Sequence, residues 1–383
     1  MALRAWLSAE DLGRGLALAA LLPGPEALKL VIYCGWRLHG TRGGIVAGLG
    51  FLLPSVLLLL LLSWIYVSYG SLPVVSAALK GLAAAVIALI AHALWRLAPR
   101  LLSAPWLVLL ALSAFIALAV FAVPFPLVVG LAIFAGVLSA ARTSESRIFG
   151  RLHVLAGVPA RRTVKLLAAG VMLALLPAAA LYAAGGMSWS ATRVYASILQ
   201  VSAVAFGGAY PALAYANQQF VQQLDWVTPE QAAAALALAE TTPGPLVIAL
   251  QFLGFMAGWN NPAPFAAQTS AVLAALAASW AIFMPSFVLM LLAAPFLETL
   301  QRDRRAFAAM TAITAVTFAA IAQIGWQFAR TTLWSAAPAG VLQPGPVLIA
   351  LVALSVLITT RTEAHWIVLG GAAAGVAVEV LGR

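Results

Sequence analysis

Two of the three Pro-Gly-Pro triplets, Pro23-Gly24-Pro25 and Pro243-Gly244-Pro245, stand 220 positions apart, each inside a long apolar run. Proline lacks an N–H and clashes with the preceding helical turn, so each triplet must interrupt a helix. A helix that restarts after such a break presents unpaired N–H groups and the positive end of its dipole. That end binds anions and contributes up to about 2 kcal/mol in a partly buried site. The chemistry on offer is recognition of a small oxyanion. The bland alternative is a kink, or a short turn between two spans.

Side chains around the breaks add to this chemistry. Thr241 and Thr242 place hydroxyl donors just before the second triplet, and Glu240 is a candidate proton carrier for coupling. The first copy has Ala20, Leu21 and Leu22 there, so the two sites differ chemically. Lys29 follows Gly24 by five residues and is positioned to face a bound anion, or to pair with Glu26 at i, i+3. Phe206-Gly207-Gly208-Ala209-Tyr210-Pro211 is a second kind of break, read either as unwound backbone or as close helix packing. His92 and Gln323 occupy matched positions in the two copies. The four histidines show no metal-ligand spacing, and no nucleophile elbow or phosphate-binding glycine loop occurs. No metal, cofactor or enzymatic reaction is expected. A membrane-embedded enzyme is the weakest alternative.

The elements that hold these residues follow from composition. Of the 383 residues 64% are hydrophobic and 8% charged, against about 25% charged in soluble domains. That much apolar surface suits lipid, so the expectation is an all-α polytopic membrane protein. Apolar runs give about twelve transmembrane helices, among them 12–36, 43–68, 192–220, 229–258 and 267–294. The net charge of +10 comes from short loops rather than a nucleic-acid surface. The basic stretch 141–165 is expected in the cytoplasm. Cys34, the only cysteine, rules out disulfides within the chain.

The repeat extends beyond the triplets. Trp6 and Glu10 match Trp226 and Glu230; after an insertion of eleven residues in the second copy, Pro54-Ser55 matches Pro285-Ser286, and Trp95 matches Trp326. Matched loops alternate in charge: Arg37 and Arg42 against the uncharged 260–265, then the uncharged 70–73 against Arg302, Arg304 and Arg305. The expectation is an inverted repeat, with helices broken at the Pro-Gly-Pro motifs. It divides into a first repeat (1–140), a basic loop and linking helix (141–185) and a second repeat (186–383). The segment 192–225 has only residues 1–5 as its counterpart. A misplaced start, or a truncated and transport-incompetent chain, is therefore expected.

Together these words resemble the chromate ion transporter family, whose long members are fused inverted halves with an FGG-type motif followed by a Pro-Gly-Pro motif. The resemblance rests on LALAALLPGPEALKLVIYCGWRLHGTRGG and FLLPS, then AFGGAYPALAYANQQFV and AETTPGPLVIALQFLGFMAGW. It implies export of chromate across the bacterial plasma (inner) membrane, driven by an ion gradient, with sulfate as a related substrate. By motif it implicates Phe206, Gly207, Gly208, Tyr210 and Pro211 together with Pro23, Gly24, Pro25, Pro243, Gly244 and Pro245. The expected partners are the small oxyanion and the lipid bilayer, with no nucleic acid; homo-oligomerisation is left open.

Overall fold

The computed structural model describes residues 7–70, 72–142, 160–206, 208–294, 304–334, 340–360 and 362–381. Everything regular in them is helical, apart from an isolated bridge between Trp334 and Leu342. Among the described residues, five helices are long and apolar enough to cross a bilayer: α2 (Glu26–Tyr69), α3 (Pro73–Leu101), α6 (Ala160–Gly185), α11 (Ala267–Ala293) and α12 (Arg304–Leu333). Shorter apolar helices are α4 (Pro105–Ala119), α5 (Phe125–Arg142), α13 (Pro344–Thr359) and α14 (Ala364–Leu381). Their outer faces carry large apolar side chains, such as Val46, Leu57, Leu109, Phe134, Leu175 and Leu351, each more than half exposed. A surface of this kind is stable against lipid rather than water. The chain is an all-α membrane protein.

The remaining helices form hairpins, and this departs from the sequence reading. The runs 12–36, 192–220 and 229–258 were each expected to be one broken span. In the first, α1 (Ala9–Leu21) turns back into α2: the Arg37 guanidinium pairs with Asp11 at 2.8 Å, and Gly15 lies against the Tyr33 ring. Residues equally far from Gly24 on either side therefore meet. In the second, α7 (Ser190–Val204) turns back into α8 (Ala209–Asn217) and the π-helical Gln218–Gln223. Gln219 donates to Gln200 at 3.5 Å, and the Arg193 guanidinium lies 4.5 Å from the Trp226 ring centre. In the third, α9 (Pro229–Thr241) turns back into the 3-10 turn Leu246–Ile248 and α10 (Ala249–Asn260). Asn260 Nδ2 donates to the Trp226 carbonyl at 2.9 Å and to Gln231 Oε1 at 3.0 Å.

The dihedral angles explain the reversal. Leu22 and Thr242 precede proline and are extended, and Pro25 and Pro245 are extended as well. Between each pair of prolines the glycine has positive φ, 100° at Gly24 and 136° at Gly244. An extended–left-handed–extended sequence turns the chain around; a kink would have let it continue. The hairpin arms hold 12 to 15 helical residues each, short of the roughly 20 needed to span a bilayer. A segment that turns back adds no crossing.

A further reversal at His39 and Gly40 divides α2, leaving Gly35 and Gly43 backbone to backbone. Its second part, 41–69, lies antiparallel to α11: Gly44 meets Leu291 and Gly48 meets Phe287. The far end of α2 reaches the open end of the third hairpin, where the Trp64 and Trp259 rings are 6.4 Å apart. Close glycine contacts also join α3 to α14 (Gly81 with Gly371 and Gly375) and α5 to α12 (Gly136 with Ala308). Such contacts are how helices associate when lipid supplies no hydrophobic drive.

Candidate substrate site at the hairpin tips

The three hairpin tips converge, and backbone as well as side-chain bonds tie them together. At the first tip the Gly24 N–H donates to the Ala205 carbonyl at 2.8 Å, joining the Pro-Gly-Pro turn to the break between α7 and α8. Gly24 and Pro25 are buried. Lys29 is fully buried, and its ammonium donates to the carbonyls of Ala19 and Leu22. It thereby satisfies acceptors that the end of α1 leaves open.

At the second tip Ser55 donates its hydroxyl to the Pro243 carbonyl. Thr241 and Thr242 each turn their hydroxyl back onto the Leu238 carbonyl at 2.8 Å. Pro243 and Gly244 are exposed and Pro245 is buried. Just before this tip, Glu240 accepts a 3.5 Å hydrogen bond from the Tyr210 hydroxyl. The Phe-Gly-Gly and Pro-Gly-Pro motifs thus meet through side chains.

The third tip, which belongs to the second hairpin (α7–α8), spans Ala205 to Gly208, with Gly208 at φ 105° as the N-cap of α8. The Phe206 carbonyl accepts from Thr317 of α12 at 3.3 Å. Tyr210 and Pro211 lie in the first turn of α8. Gly207 lies outside the described residues. Away from the tips, Gln323 is buried, His92 keeps a buried Nδ1 without a hydrogen-bond partner, and Lys80 is exposed. A cavity of about 220 Å³ lies at the open end of the third hairpin, between Tyr66, Gly70, Gln231, Trp259 and Asn260.

Sequence reasoning missed two residues at the centre. Ser55 and Ser286 served only as markers of the repeat, yet each stands against the glycine of the other half's triplet: a Cβ on Gly244 would strike Ser55, and one on Gly24 would strike Ser286. Ser286 is 1% exposed and its hydroxyl has no hydrogen-bond partner. The matched Pro-Ser pairs were the available signal. Gln251 was missed as well; fully buried, it donates to the Val56 carbonyl at 2.9 Å and accepts from Ser279 at 2.8 Å, tying α10 to α2 and α11.

The family model described as Chromate transporter matches residues 1–137 and 192–376, most of the chain. The chain belongs to the chromate transporter family. Among its relatives is the chromate transport protein of Pseudomonas aeruginosa, 33% identical over 313 residues, 81% of this chain and 69% of that one. The probable chromate transport protein of Synechococcus elongatus is 28% identical over 324 residues, covering 83% and 74%. The chromate transport protein of Cupriavidus metallidurans is 26% identical over 377 residues, covering 96% and 83%. No solved structure matches the chain. As a member of the chromate transporter family the chain is a transporter and not an enzyme. The two matched regions contain all three hairpins but for the first two residues of α7, and omit 138–191, where α6 lies.

Proposed function

We propose that the chain is a secondary transporter exporting chromate, or a related tetrahedral oxyanion such as sulfate, across the bacterial plasma membrane. The names of its relatives support the substrate class. The crossed contacts of Ser55 with the second tip and Ser286 with the first carry the reading. They pair matched residues of the two halves reciprocally, as expected of an inverted repeat built around a central site. The contact of Trp64 with Trp259 supports hairpins that open to opposite faces. In this reading 1–140 and 186–383 are the two repeats, and 141–185 joins them.

The loops near Arg37, Arg42 and 141–165 then face the cytoplasm, and the open ends of the second and third hairpins face outward. The loops 143–159 and 295–303 and the terminal Arg383 lie outside the described residues. Glu240, bonded to Tyr210 between two tips, is the coupling group. The exposure of Pro243 and Gly244, against the burial of Gly24 and Pro25, favours a second reading in which the second tip needs a further cover before transport occurs. Radiolabelled chromate flux in proteoliposomes carrying the 383-residue chain alone tests both. Chromate flux with sulfate competition supports the first reading; binding without flux supports the second, and neither flux nor binding refutes the substrate assignment.

A further inference from the structure

The two Pro-Gly-Pro tips are opposite in chemical character. Behind the first tip lies Lys29, its ammonium on the carbonyl of Leu22, the residue before Pro23. The matched position in the second half is Ala249. Behind the second tip lies Glu240, matched by Ala20 in the first half. A dianion is drawn to the first environment and repelled by the second.

The hydroxyl inventory points the same way. At the second tip every hydroxyl already has an acceptor: Thr241 and Thr242 on Leu238, Ser55 on Pro243. At the first tip the Ser286 hydroxyl is buried against Gly24 and has none. A buried hydroxyl without a partner is destabilising and calls for an explanation in what binds there. Beside it the first part of α2, from Glu26 to the reversal at His39, opens with N–H groups that have no partner within the helix. The Glu26 carboxylate in that turn is exposed.

We propose that the oxyanion binds at the first tip, accepting hydrogen bonds from Ser286 and the opening amides of α2, with the charge of Lys29 behind it. This rests on the reading of the chain as an oxyanion transporter. The ligand class is a tetrahedral dianion, whose several oxygens accept from a hydroxyl and from amides together. Gly24, Lys29 and Ser286 are buried in this structure, so the anion reaches them as the tips part during alternating access.

The test is equilibrium binding of radiolabelled chromate and sulfate to the full chain in lipid nanodiscs, with a thermal unfolding scan on every variant. Ser286→Ala is expected to lower chromate affinity by about tenfold or more while remaining folded. Ser113→Ala, on the exposed face of α4 away from the tips, is expected to leave affinity unchanged. If Ser286→Ala does not fold, Ser286→Cys in a Cys34→Ser chain replaces it, and sulfate, which unlike chromate does not oxidise thiols, is expected to slow its alkylation by N-ethylmaleimide; unslowed alkylation counts against the site. Wild-type affinity in folded Ser286→Ala overturns the proposal and leaves oxyanion transport standing. So does a loss confined to Thr241→Val and Thr242→Val. A wild-type chain that binds neither anion overturns both.

Discussion

Ser55 donates its hydroxyl to the carbonyl of Pro243, a residue 188 positions further along the chain. Within a helix that hydroxyl would ordinarily turn back onto the preceding turn, as Ser63 does onto Leu59. Here it leaves its own helix and satisfies a carbonyl exposed by a break in another. The matched Ser286 approaches Gly24 from the other side, so each half of the chain braces the break of its counterpart. The tips are held by reciprocal contacts, and a change at either serine acts on the opposite half.

Removing the Ser55 hydroxyl should leave the Pro243 carbonyl short of a donor in a low-dielectric setting. Ser55→Ala is expected to destabilise the protein by about 1–3 kcal/mol. Fluorescence-detected unfolding in detergent measures this. An unfolding temperature equal to wild type would show that the bond contributes nothing to holding the tip.

The two triplet glycines at the hairpin tips resist replacement on two counts. Each has a positive φ that an L side chain adopts at about 1–2 kcal/mol, and each would drive a Cβ into a serine. Gly24→Ala and Gly244→Ala are both expected to lower folded yield. Adding Ser286→Ala to the first should recover only the steric part, since the Ser286 hydroxyl is what the new Cβ would strike. Full recovery in that double variant would mean that the backbone conformation itself carries no strain.

The sequence located the breaks but not the direction the chain takes after them. Two prolines force an interruption whatever follows, so Pro23–Pro25 and Pro243–Pro245 were legible. Both arms of each hairpin are apolar, and an apolar run of 25 residues reads as one span whether it continues or doubles back. Asp11 and Arg37, equidistant from Gly24 and opposite in charge, were the signal that could have revealed the first reversal. No such pair marks the second: Gln200 and Gln219, which bond there, are uncharged and stand at unequal distances from the Ala205–Gly208 tip. The threonine hydroxyls beside Pro243 were read as ligand donors because nothing in sequence shows which hydroxyl is already engaged. In a helix the carbonyl three or four residues back is always within reach, and Thr241 and Thr242 both take it.

The hairpin reading makes a labelling prediction that a broken span does not. On a Cys34→Ser background, cysteines at Ser8 and Thr41 should react with an impermeant maleimide from the same face of the membrane. Cysteines at Asp225 and Asn261 should also share a face, opposite to the first pair. A broken span would put Ser8 and Thr41 on opposite faces. Labelling of all four from one side would remove the inverted arrangement while keeping the hairpins.

The remaining prediction concerns the contact between Glu240 and Tyr210, where two tips meet through side chains. Glu240 is a carboxyl group within the membrane domain, and the hydrogen bond it accepts comes from the Tyr210 phenol. An ionisable side chain at such depth is costly and is retained where it moves protons or ions. If it couples transport to a proton gradient, Glu240→Gln should keep chromate binding and exchange but lose the acceleration that an imposed pH gradient gives the wild type. Tyr210→Phe removes the donor but leaves the carboxyl, so gradient-driven flux should fall without vanishing. The measurement is chromate flux in proteoliposomes with and without a pH step, alongside equilibrium binding. Gradient-driven flux undiminished in Glu240→Gln would exclude this carboxyl as the coupling group. Loss of binding in that variant would instead make it part of the substrate site, contrary to the placement of the anion at the Lys29 tip.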